Sequence, residues 1–244
     1  MPTLDRPPST PVRRGTELMR TPHRSHEDMF TSGAYVREFQ PERAGNPFAS
    51  LYARKRQAVL AAVRGFDQRV LDVGGGMGRM SIPLSGNHYV TLTDISPQMV
   101  EPARAFASER LTIRVADGRS LPFPNGTFDF LLCIDVLPHI PDPDVLMREV
   151  RRVLRPGGTL LIDVTNSNPL WTLAYPRYLG RRPGRWIEIW RGGGVLPEWQ
   201  ARVRHHRRAE LLFLLRRAGF RLTSMRSFGP PLCPKWYLAV ASKA

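Results

Sequence analysis

The sequence predicts an α/β fold: one doubly wound domain on a mostly parallel seven-stranded sheet, ending in an antiparallel carboxyl-terminal hairpin. Three observations carry this. Short apolar runs alternate with helical patterns from residue 69 to residue 164, as a parallel sheet with crossover helices requires. The first run, residues 69–73, enters a loop with glycines at 74, 75, 76 and 78, where the backbone can turn sharply and approach a ligand. Residues 220–227 and 236–241 are joined by a Gly-Pro-Pro segment too short for a crossover helix, which leaves a hairpin at the sheet edge.

Residues 1–28 contain Pro2, Pro7, Pro8, Pro11 and Pro22 with few large apolar residues, a composition that buries too little surface to offset ordering entropy. They are expected to be a loose tail ahead of a domain over residues 29–244. Residues 44–64 have helical periodicity, with Leu51, Val59, Leu60 and Val63 on an apolar face, Arg54, Lys55 and Arg56 outside it, and Gly65 as the stop. Strands follow at 69–73, 89–93, 111–115, 128–134 and 159–164, their apolar content continuous enough for burial on both faces. Helices are expected at 97–108 and 145–154, and another at 209–218 closed by Gly219. The stretch 165–208 has no regular pattern and reads as an insertion.

The chain has 244 residues, of which 42% are apolar and 23% charged. This is ordinary globular usage and excludes full-length disorder, collagen and coiled coil. Its longest apolar runs fall short of the roughly 20 residues a membrane-spanning helix needs. The first residues lack the apolar core of a secretory signal, so the expectation is a cytoplasmic protein. Cys133 and Cys233 form no CxxC pair, and the neighbouring His205 and His206 have no third ligand beside them, so no metal site is expected. Lys plus Arg outnumber Asp plus Glu by 36 to 21, a net charge of +15, and the only lysines are Lys55, Lys235 and Lys243. Two readings stand: a solvated basic surface, or attraction to an anionic substrate, RNA or a membrane face.

The glycine loop decides the chemistry. Counted from Gly74 and Gly76, a GxGxxG fingerprint would need glycine where Arg79 stands, which weakens a dinucleotide reading, and no Gly-Lys-Ser/Thr follows to make a Walker loop. The segment from Asp72 spells Asp-x-Gly-x-Gly-x-Gly. Further motifs follow in order: Thr91-Leu-Thr-Asp94-Ile-Ser-Pro-Gln-Met99, Ala116-Asp117-Gly118, Pro122-Phe-Pro-Asn-Gly-Thr-Phe-Asp129, Cys133-Ile-Asp-Val-Leu-Pro-His139 and Leu154-Arg-Pro-Gly-Gly158. From Arg69 to Val164 the chain thus resembles the class I S-adenosylmethionine-dependent methyltransferases, Rossmann-like enzymes, in the subset related to quinone and small-molecule methyltransferases.

The positions also have physical roles of their own. Asp94, 22 residues beyond Asp72 at a strand's carboxyl end, suits bidentate contact with two ribose hydroxyls, or else caps a turn. Asp117 can accept from an adenine amino group, Gly118 permits close approach, and Ile95 and Met99 can sandwich the ring; their bland alternative is ordinary core. Asp72 suits the ammonium at the amino-acid end of the cofactor, against which Gly74, Gly75, Gly76 and Gly78 would lie. Cys133, in an apolar run, is read as core and as part of the cofactor-binding set.

The resemblance further implies that Asp135 and His139 lie near the transferred methyl. His139 has the pKa range for proton transfer, or is a pocket-wall histidine bonded to backbone. Tyr35 resembles the position of a tyrosine that closes over cofactor. Residues 165–208 would form a substrate lid, with Trp171, Tyr175, Trp186 and Trp190 supplying flat apolar surface for an aromatic or apolar acceptor, or the lid's own small core. The lid's many arginines suit an acidic acceptor or contact with an anionic membrane surface. The expected activity is methyl transfer to an O, N or C nucleophile of a small molecule, with no stable nucleic-acid partner. The alternatives are an RNA methyltransferase, although no Asn/Asp-Pro-Pro-Tyr motif or catalytic cysteine pair is present, and a non-catalytic cofactor-binding scaffold.

Overall fold

The computed structural model describes residues 49–166, 206–232 and 234–244. The predicted tail, Tyr35, and the lid aromatics Trp171, Tyr175, Trp186 and Trp190 lie outside the described residues.

The described elements run α1 (Ala49–Ala62), β1 (Arg69–Val73), α2 (Ser81–Leu84), β2 (Tyr89–Asp94), α3 (Pro97–Arg104), β3 (Leu111–Val115), β4 (Phe128–Cys133), a 3-10 turn (Leu137–His139), α4 (Pro143–Val153), β5 (Leu154–Thr165), α5 (Arg208–Arg217), β6 (Phe220–Phe228) and β7 (Trp236–Lys243). The sheet order is β3-β2-β1-β4-β5-β7-β6. The first five strands pair in parallel, and β7 inserts antiparallel between β5 and β6. The expected hairpin is therefore present, with β6 as its outer strand.

Burial on both faces follows from side-chain alternation. Val70, Leu92, Leu132, Leu161 and Leu238 pack in one core with Leu51 and Val59 of α1 and Val100 of α3. Leu71, Leu131, Leu160 and Ala239 pack in the other with Leu146 and Val150 of α4 and Leu211 of α5. Each fully buried leucine contributes about 1.5–3 kcal/mol relative to exposure. Helix α4 shows how sequence specifies this: Asp142 caps it by accepting from the Asp144 N–H, Pro143 occupies the first turn, and Leu146, Met147, Val150 and Val153 form the buried stripe.

Three expectations are corrected. Helix α3 ends at Arg104 rather than at 108, because the Phe106 and Ala107 N–H groups bond three residues back, to Ala103 and Arg104, and Ser108 closes a turn with Leu111. Strand β5 starts at Leu154, before the Arg-Pro-Gly-Gly irregularity, because Leu154 already pairs with Phe128. Lys55, assigned to the outer face of α1, is completely buried. Among the described residues, no helix is long and apolar enough to cross a membrane.

Candidate active site

Chain direction around the sheet diverges between β1 and β4, since β2 and β3 lie to one side and β5 to the other. A crevice opens at the carboxyl ends of strands at such a switch point. Gly74 leaves β1 there with φ +67°, and a Cβ on it would stand 2.4 Å from Val136 Cγ2, across the crevice after β4. Glycine is required at 74 on both counts. At Gly75 a Cβ would meet the Asp72 carboxylate at 2.7 Å, so the loop lies directly on the acid beneath it.

Asp72 is buried, and its Oδ2 accepts from the Ser81 hydroxyl at 2.6 Å. Burial pushes its carboxyl up to about 7, with the Asp94 charge adding to the rise and the Ser81 bond opposing it. At the end of β2, Asp94 accepts from the Gly76 N–H at 3.0 Å through one oxygen and from the Ser96 N–H at 2.9 Å through the other. Burial raises its carboxyl as well, opposed by these backbone donors. Asp94 thus ties the glycine loop to the start of α3, the turn-capping role, while each oxygen keeps further acceptor capacity. Ile95 beside it is 44% exposed. Met99 is buried, with its Cε 3.1 Å from where a Gly76 Cβ would stand. Ile95 thus follows Asp94 directly, and Met99 stands in the first turn of α3.

Asp117 and Gly118 follow β3. The Asp117 carboxylate is gripped by Arg119 through Nε and Nη2 and by the Arg119 N–H. These bonds hold its carboxyl below the usual range and take up the lone pairs that an adenine amino group would use. Gly118 works in packing, since a Cβ there would stand 2.9 Å from Val73 Cγ1 and 3.1 Å from Leu146 Cδ1. Cys133 is fully buried in the core with Leu131 and Leu137, and burial pushes its thiol up. Its sulfur is a core group, so only its main chain can border a cofactor.

Asp135 has φ +61°, a left-handed conformation that glycine adopts freely and that asparagine and aspartate adopt more often than other residues. Val136 and the 3-10 turn follow, and bring half-buried His139 to the same edge. Asp135 Oδ1 accepts from Lys55 Nζ at 2.7 Å, and Lys55 Nζ also donates to Asp163 Oδ2 at 2.7 Å. Tyr52, Trp236 and Lys235 border this group.

Lys55, Asp163, Lys235 and Ser81 are absent from the sequence-derived site. Signals for two of them existed. Leu51, Lys55 and Val59 are spaced by four, which sets Lys55 within an apolar helical stripe. Asp163 interrupts the run Leu160-Leu161-Ile162, where a two-sided buried strand has no place for an unpaired acid.

This strand order, with a glycine loop after β1 and an acid ending β2, defines the class I S-adenosylmethionine-dependent methyltransferase fold. Residues 71–162 match the family model described as a methyltransferase domain. The ubiquinone biosynthesis O-methyltransferase of Xanthomonas campestris pv. campestris (strain B100) is 34% identical over 135 residues, 53% of this chain and 54% of the relative. The chain thus matches about half the length of such curated relatives. Magnesium protoporphyrin IX methyltransferase from Synechocystis PCC 6803, solved with bound S-adenosylhomocysteine, superposes with a TM-score of 0.69 at 19% identity, over 89% of this chain and 98% of that one. The cyclase SpnF superposes with a TM-score of 0.59 at 22% identity, over 84% and 85%.

Proposed function

We propose that the chain is an S-adenosylmethionine-dependent methyltransferase that methylates an O, N or C nucleophile of a small organic acceptor. The observation that carries the reading is Asp94, a half-buried acid fastened to the glycine loop at the switch point. The donor set fits the cofactor. Asp72 offers a buried carboxylate to the amino-acid end, a cation that would restore its ionisation. The loop leaves room where Cβ atoms would otherwise stand. Asp94 has acceptor capacity for ribose hydroxyls, and Ile95 and Met99 offer apolar faces to adenine. Asp117 would take the adenine amino group only by yielding part of its contact with Arg119.

The bound cofactor supplies a methyl activated by its sulfonium charge. The chain's own task is to align the acceptor and to take its proton where it carries one. Asp135 and His139 occupy the turn after β4, with His139 as the proton acceptor. The insertion between β5 and α5 would close over the acceptor, with Trp171, Tyr175, Trp186 and Trp190 against an aromatic group and Tyr35 over the cofactor. The relative's description as an O-methyltransferase of ubiquinone biosynthesis favours an oxygen nucleophile. We place the protein in the cytoplasm, its arginines suiting either an acidic acceptor or peripheral contact with an anionic membrane surface.

Calorimetry with S-adenosylhomocysteine on wild type and Asp94→Ala, followed by methyl transfer to a panel of phenols and catechols, tests the reading. Micromolar binding lost in the variant supports the cofactor site. A folded wild type that does not bind rejects it. The SpnF likeness makes turnover a separate question: binding without transfer to any acceptor favours the scaffold reading, and methylated RNA favours the nucleic-acid alternative.

A further inference from the structure

Lys55 on α1 reaches Asp135 and Asp163, 80 and 108 residues away. Its side chain is 0% exposed, that of Asp163 is 1% and that of Asp135 is 31%. The ring centroids of Tyr52 and Trp236 lie 4.9 and 4.8 Å from its Nζ. Asp163 divides its two oxygens: Oδ2 takes the lysine, and Oδ1 accepts the Asp135 N–H at 2.7 Å. Asp135 is therefore gripped twice, through its carboxylate and through its backbone, at the one residue of the β4 turn with a left-handed φ.

Stability is a poor explanation of such a group. Taking an ammonium and two carboxylates out of water carries a desolvation cost that their attraction only offsets, and apolar replacements of whole buried ionic groups are often neutral or stabilising. What an apolar trio could not supply is direction. Aspartate tolerates a left-handed φ better than most residues, and Lys55 and Asp163, from two different elements, fix it in this one orientation.

We propose that Lys55 is a positioning residue for methyl transfer: by clamping Asp135 against Asp163 it sets the turn that carries Asp135 and His139 to the acceptor side of the crevice. The proposal rests on the methyl-donor reading above. It makes α1, through a single ammonium group, part of the active-site scaffold, and it gives the acid in β5 a purpose that burial alone would oppose.

The test compares wild type with Lys55→Met/Asp163→Asn, which removes the clamp's charges together while the new side-chain amide in β5 keeps a carbonyl acceptor for the Asp135 N–H. Both proteins are loaded with S-adenosylmethionine bearing an isotope-labelled methyl. The expected result is a changed amide-to-Cα proton coupling at Asp135 and a displaced resonance of the bound sulfonium methyl. Affinity for S-adenosylhomocysteine should stay within about twofold, as expected for separated sites, and kcat should fall at least about tenfold on any acceptor found by the screen, with KM little changed. Unchanged coupling and methyl resonance overturn the proposal. If the double variant does not unfold cooperatively, Lys55→Gln is read in the same way. A wild type that binds no cofactor rejects the methyl-donor reading instead, while the Asp135 coupling without ligand still reports the clamp.

Discussion

Ser81 donates its hydroxyl hydrogen to Asp72 at 2.6 Å, directly beneath the loop where a Gly75 Cβ would touch the same carboxylate. Because burial raises this carboxyl from its ordinary 3.8 to about 7, the acid is largely protonated below neutrality. A ligand ammonium needs the ionised form. Affinity for S-adenosylhomocysteine should therefore fall by up to about tenfold per pH unit below pH 7 and level off above it, with proton release on binding in the acid range. Calorimetry in buffers of different ionisation enthalpy checks this, and a pH-independent affinity would remove Asp72 from the ammonium contact. In the unliganded protein the sign is opposite. A raised carboxyl contributes stability that is fully present below the ordinary value and is lost as pH rises towards about 7.

Asp94→Ala should weaken S-adenosylhomocysteine binding by at least about a hundredfold, since two charge-assisted hydrogen bonds at roughly 1.5–3 kcal/mol each would go. Asp94→Asn, which keeps one acceptor for the Gly76 or Ser96 N–H, should fall between. Titrations of both variants against wild type decide the matter, and an unaffected Asp94→Ala would place ribose recognition elsewhere.

Gly74→Ala should destabilise the fold by about 1–3 kcal/mol from its left-handed φ alone, with a further cost from the clash against Val136. Val136→Ala opens the space that the new methyl needs. Urea unfolding of the two single variants and the double variant should give a sum that is less than additive by at least about 0.5 kcal/mol. Strict additivity would mean that the two strand ends do not touch.

Lys235 sits beside Trp236, its Nζ 5.1 Å from the ring centroid. Burial, then the nearby Lys55 charge, lower its ammonium from 10.5 to about 7, while Asp135 opposes them. A lysine lowered in the folded state binds more protons when unfolded, so its contribution to stability grows as pH rises from about 7 towards 10.5. Lys235→Met should flatten that rise and lift the unfolding midpoint at neutral pH by a few degrees, about 1–3 kcal/mol. Calorimetric melts across this range would show an unchanged slope if the lysine were well solvated.

Residues 69–164 were legible because each signal there is local. Val70-Leu-Asp-Val is a strand by composition, the glycines announce the turn within a few positions, and Asp94 ends its own strand. The hairpin at 220–241 could be read because Gly-Pro-Pro leaves no room for another connection. Lys55 gives a mixed signal: its spacing of four from Leu51 and Val59 sets it in an apolar stripe, but between Arg54 and Arg56 it resembles a solvated cation, and its two acids come from strands far along the chain. Asp117 was read for its chemistry, but its engagement by Arg119, two residues on, is a matter of conformation rather than composition. The packing at Gly118 is invisible to composition, since Val73 and Leu146 come against it only in the folded sheet.

The walls around Lys55 come from positions 52, 135, 163 and 236, an order that matters while the chain is being made. Trp236 is the last to leave the ribosome, and β7, which it begins, is also the strand that covers the open edge of β5. Until residue 236 is made, the lysine lacks one wall and a long strand lacks its second neighbour, the kind of unpaired edge that invites aggregation. Closure then couples distant parts of the chain, a slow event for loop entropy. The arrival of β7 thus both covers the edge of β5 and closes the wall of the lysine site.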